Sequence, residues 1–82
     1  RCAINFVATT HDVTNINRIK PGIAEATRAI LRRMPSMVYI SALDDPDLAA
    51  MIHLLNEKAI PYEINPQKIA PYRAITLIQK VS

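Results

Sequence analysis

The chain has 82 residues, half of them apolar and 21% charged, with a formal net charge of +3. That is enough for one domain with a modest core, and it excludes a disordered chain. No apolar run approaches the roughly 20 residues that span a bilayer, and the single cysteine excludes an internal disulfide or a cysteine-based zinc cage.

The apolar N-terminal stretch is interrupted by Asn5 and ends in Thr9-Thr10-His11-Asp12, which is not a secretory signal. One free cysteine fits a reducing compartment, so a cytoplasmic location is expected. The chain begins at Arg1 without an initiator Met. It therefore reads as a single α/β domain over residues 1–82, excised from a longer protein.

In chain order, Cys2 to Ala8 alternates loosely, with Cys2, Ile4 and Phe6 on one side and Asn5 on the other, and reads as a strand. Thr9 to Lys20 is polar and rich in Thr and Asn, a loop with at most one irregular turn. Pro21 opens a helix in which Ile23, Thr27, Ile30, Leu31 and Met34 share one face, with Glu25, Arg28 and Arg32 opposite. Pro35-Ser36 ends it, because proline disfavours helical geometry in the residue before it.

Met37-Val38-Tyr39-Ile40 is a buried strand that runs directly into Ser41-Ala42-Leu43-Asp44-Asp45-Pro46-Asp47. Asp44 or Asp45 can accept the free N–H groups of a first helical turn, and Pro46 sits where a missing N–H costs nothing. The helix then runs to about Lys58 with Leu48, Met51, Ile52, Leu55 and Ala59 as its buried stripe. Ile60 to Ile64 is a short strand whose Pro61 puts it at an edge or a strand start. Asn65 to Pro71 is a loop. Tyr72 to Val81 is the last strand, with Ile75, Leu77 and Val81 facing one way and Ala74, Thr76 and Ile78 the other.

The order β-α-β-α-β-β predicts a two-layer α/β sandwich, a four-stranded mixed sheet with both helices on one face. Its other face, lined by Ala3, Asn5, Val7, Met37, Tyr39 and the last strand, would be open to a partner or a second copy.

An order of this kind resembles the fold of the C-terminal domain of translation initiation factor 3. Two stretches, Val38 to Pro46 with its Asp44-Asp45-Pro46 helix start and Pro71-Tyr72-Arg73 leading into Ala74 to Ile78, resemble bacterial sulfur carriers of the TusA type. Those carriers hold a Cys-Pro-x-Pro signature at the first helix start, where the helix N-terminus stabilises a thiolate or persulfide. Aligning Pro21 with the second proline puts Arg18 at the cysteine position and Ile19 at the first proline. The nucleophile is missing, which argues against sulfur transfer.

Other chemistry is outweighed by ordinary structure. Cys2 with His11 reads as a small strand residue rather than an activated thiol, and Thr9 to Asp12 as turn chemistry. His53 and Glu57, one helical turn apart without a third ligand, form a solvated pair. Asp44, Asp45 and Asp47 suit a helix start better than a metal, and one glycine makes no phosphate loop. No catalytic residue, metal or cofactor is expected, and the protein is not read as an enzyme.

What remains is a charge segregation. Arg18, Lys20, Arg28, Arg32 and Arg33 stand against Glu25 in residues 18–33, while residues 44–63 are acidic. Some of this positive charge would be neutralised by the second helix. The reading is a non-enzymatic binding or assembly domain that docks a protein partner through the open sheet face or the basic helix. The alternative is an RNA- or DNA-binding domain in which those five cations meet phosphates, and a second alternative is a sulfur-relay-like protein.

Overall fold

A computed structural model describes residues 2–33 and 35–78. Its elements are α1 (Cys2–Thr10), a 3-10 turn at Ile16–Arg18, β1 (Ile19–Pro21), α2 (Ile23–Arg32) and β2 (Pro35–Ile40). A second 3-10 turn at Pro46–Leu48 leads into α3 (Ala49–Glu57), followed by β3 (Tyr62–Ile64), α4 (Pro66–Ile69) and β4 (Ala74–Ile78). From β1 onward the strands and the two longer helices follow the expected β-α-β-α-β-β order, and the four strands make one mixed sheet.

The sheet order is β1-β4-β2-β3. β4 is antiparallel to both β1 and β2, and β2 is parallel to β3. All five residues of β4 are buried, as a strand covered on both faces requires. Alternation sorts its side chains: Ile75 and Leu77 join one core cluster, and Ala74 the other. Val38 and Ile40 of β2 pack with Ala26 and Ile30 of α2 and with Leu48, Met51 and Leu55 on the first cluster's face. Helices α2 and α3 thus lie on one face, as the sequence implies.

The opposite face is not open. Ala3 and Val7 of α1 and Ile69 of α4 pack there against Ile19, Tyr39, Ile75 and Leu77. The segment read as the first strand is a helix. Its buried residues Ala3 and Val7 stand one helical turn apart, whereas a strand would bury every second residue. The strand paired to β4 is the short β1 instead, inside the stretch read as loop. Docking through an open sheet face is therefore corrected: α1 and α4 already occupy it.

Smaller corrections follow the packing. Proline 21 ends β1, and α2 starts after Gly22, whose φ of +92° turns the chain into the helix. The inner face of α2 is Ala26, Ala29 and Ile30, while Leu31 is 59% exposed. Ala59 is exposed with φ of +56°, beyond the end of α3, and residues 66–69 form a helical turn capped by Asn65. Met34 and the expected extension of the last strand to Val81 lie outside the described residues.

The Asp45-Pro46 start behaves as its chemistry dictates. Asp45 Oδ1 accepts the Asp47 N–H at 3.0 Å, and Pro46 opens the turn leading into α3. None of the described helices is long and apolar enough to cross a membrane.

Candidate nucleic-acid interface

The basic residues are positioned by two elements that pack side by side, β1 and α2. Helix α2 is amphipathic for a local reason. Alanines at 26 and 29 let its backbone approach the sheet, and Thr76 Oγ1 of β4 donates to the Ala26 carbonyl at 3.3 Å. Glu25 in the first turn and Arg32 in the last complement the helix dipole. With the small residues turned inward, Arg28 and Arg32 project outward one turn apart, both exposed.

Lys20, at the centre of β1, completes the arrangement. Lys20, Arg28, Arg32 and Arg33 line one shallow groove of about 200 Å³, together with Glu25 and Ala29. Among the described residues, four cations thus face one carboxylate. Arg28 Nη1 donates to Glu25 Oε1 at 3.3 Å, and both side chains are more than half exposed, so this contact neutralises only part of one charge. Arg18 is not part of the lining. Its Nε donates to the Ile78 carbonyl at 3.1 Å and ties the start of β1 to the end of β4.

The expected neutralisation by α3 is absent among the described residues, where no ion pair joins α2 to α3. The acidic residues have other partners. Arg73, just before β4, donates through Nε to Asp45 Oδ2 at 2.9 Å and through Nη1 to Asp47 Oδ2 at 2.8 Å. The hydrogen bond from Arg73 holds the Asp45 carboxyl below its usual range. His53 Nε2 and Glu57 Oε2 stand 3.3 Å apart on the exposed side of α3, the solvated pair foreseen from their spacing. The groove keeps its positive charge because Asp45, Asp47 and Glu57 are paired with other residues and do not line it.

His11 acquires a role its position in the sequence did not signal. Its Nε2 lies 2.7 Å from the Tyr39 hydroxyl, and the Tyr39 ring is packed edge-on by both Phe6 and His11. Burial, with Glu63 on the neighbouring strand, pushes the Tyr39 phenol up from 10.0. This contact pins the end of α1 to β2 and is structural. Among the described residues no group of three or more His, Cys, Asp and Glu side chains is placed to hold a metal ion.

Comparison with protein families matches residues 1–80 to the PELOTA RNA binding domain. The chain belongs to that family. A relative from Acinetobacter baylyi (strain ATCC 33305 / BD413 / ADP1), named cysteine protease StiP, is 51% identical over 78 residues. That match takes in 95% of this chain and 20% of the relative, so the chain spans about one fifth of the protein it resembles. The family is not that of the sulfur carriers, whose signature this chain lacks.

Proposed function

We propose that this domain binds RNA through its phosphate backbone, in the groove between β1 and α2, and carries no catalysis of its own. The observation that bears most weight is the gathering of Lys20, Arg28, Arg32 and Arg33 along one groove with, among the described residues, a single opposing carboxylate. In a family described by RNA binding, such a cluster is the electrostatic footprint a polyphosphate chain requires. Guanidinium groups one turn apart match successive phosphate oxygens, which position a nucleic acid without reading its sequence.

The surroundings favour folded or double-stranded RNA over single strands. Single-strand binders stack bases on exposed aromatic platforms, often a sheet face. Here both sheet faces are covered by helices, Tyr39 is buried, and Phe6, Tyr62 and Tyr72 are half-buried. No aromatic residue lines the groove. Catalysis is assigned to no residue, since the match to the relative named as a protease covers 20% of that protein.

An amide NMR titration with a short RNA duplex, and with one of its strands alone, tests this reading. Shifts on residues 18–33 that fade with added salt, stronger for the duplex, are expected. A flat response to both RNAs would refute it.

A further inference from the structure

The two edges of the sheet differ in what their backbones offer. At β1 the edge is closed. The Gly22 N–H donates to the Ala74 carbonyl at 2.8 Å, and Lys20 stands opposite Thr76 in the same antiparallel ladder. Residues 20 and 22 therefore point their backbone groups inward to β4, and residues 19 and 21 point outward. The Ile19 N–H is taken by the Ile16 carbonyl of the preceding turn, and Pro21 has none. No outward donor remains.

At β3 the edge is open. The Val38 N–H donates to the Pro61 carbonyl at 3.1 Å, and the Asn65 N–H to the Ile40 carbonyl at 3.0 Å. In a parallel ladder this fixes residues 61, 63 and 65 as inward-bonding. The N–H and C=O groups of Tyr62 and Ile64 then face away from the sheet, and among the described residues they have no backbone partner. Ile64 is 45% exposed, and Leu43, in the turn after β2, is 52% exposed. This edge is a short, unpaired hydrogen-bonding template with an apolar side chain at its end.

Glu63 decides what it can accept. It is exposed at the centre of β3, on the face opposite Tyr62 and Ile64. A second copy added antiparallel in the register that bonds Tyr62 to Ile64 would set the two Glu63 carboxylates directly across from one another, an unfavourable like-charge pair. A strand with a cation at its centre and apolar neighbours meets the same edge with opposite charges aligned. We infer that β3 is a docking edge for an extended, basic-centred strand of a protein partner, added to the sheet beside Tyr62–Ile64. This surface lies at the sheet edge away from β1, so RNA in the groove and a strand on β3 do not compete for the same side of the domain.

The test uses two blocked pentapeptides, Thr-Val-Lys-Val-Thr and Thr-Val-Glu-Val-Thr, titrated into the 15N-labelled domain. Downfield shifts and slowed exchange at the Tyr62 and Ile64 amides are expected, with the lysine peptide bound about twofold to fivefold more tightly, the range of an exposed ion pair. Glu63→Lys should reverse that preference while leaving RNA affinity unchanged. Three results would overturn the inference: no shift at either amide, shifts confined to residues 18–33, or equal binding of both peptides. Concentration-dependent shifts at the same amides without peptide would do so too, by assigning the edge to a second copy.

Discussion

The charge in the groove can be removed one residue at a time, with a magnitude fixed by counterion release. Four cations of the described residues line it. If each meets one phosphate, the slope of log affinity against log salt is about −2.8 to −3.6, since each contact contributes about −0.7 to −0.9. Raising salt from 50 to 200 mM should then weaken binding by about 50- to 150-fold. In the double variant Arg28→Gln with Arg32→Gln two contacts remain, and the same change of salt should cost only about 7- to 12-fold. The single variants give an internal check. Glu25 already neutralises part of Arg28 at 3.3 Å, so Arg32→Gln should weaken binding more than Arg28→Gln does. The assay is fluorescence anisotropy of a labelled RNA duplex at several salt concentrations. A steep slope that the double variant leaves unchanged would refute the assignment, placing the phosphate contacts elsewhere.

Three further expectations concern the fold. Leu48 is fully buried while Leu31 is 59% exposed, so Leu48→Ala should cost about 3–5 kcal/mol in urea unfolding and Leu31→Ala no more than about 0.5 kcal/mol. Equal losses would mean that α2 turns its other face to the sheet. Gly22 adopts φ of +92° with nothing within 4 Å of an added Cβ. Gly22→Ala should therefore destabilise by about 1–3 kcal/mol through backbone strain alone, read as a lower urea midpoint; an unchanged midpoint would refute it. Asp45 is held below its usual 3.8 by Arg73. A depressed carboxyl contributes stability that is complete above the unfolded value and lost as pH falls through the folded one. Arg73→Ala should thus lower the thermal midpoint at pH 7, and the gap from wild type should narrow as pH drops below about 4. A gap that does not depend on pH would show that Arg73 acts by packing alone.

Helix α3 was legible because Asp45, Pro46 and the spacing of Leu48, Met51 and Leu55 all demand the same structure. Strands β2 and β4 were legible because short apolar runs flanked by proline have few alternatives. The basic face of α2 followed from the 3.6-residue period, which alone puts Arg28 and Arg32 together. Helix α1 was not legible. Its apolar run is interrupted only by Asn5, so neither period stands out, and the choice was made by α4 and the sheet face against which Ala3 and Val7 pack. Strand β1 was hidden for a related reason, since three residues ending in proline carry no signature of their own and are extended only because β4 pairs with them.

The same division runs through the candidate interface. Capping and periodicity act over a few residues, so the order of amino acids alone shows which cations exist, that two of them share a helix face, and that an α/β frame carries them. Packing between distant segments is what brings Lys20 to them from another element, diverts Arg18 to the Ile78 carbonyl and engages Arg73 with Asp45 and Asp47. It also decided that one sheet edge is closed and the other open. Contacts between segments far apart in the chain depend on how layers stack and strands order, and no local pattern of residues encodes that.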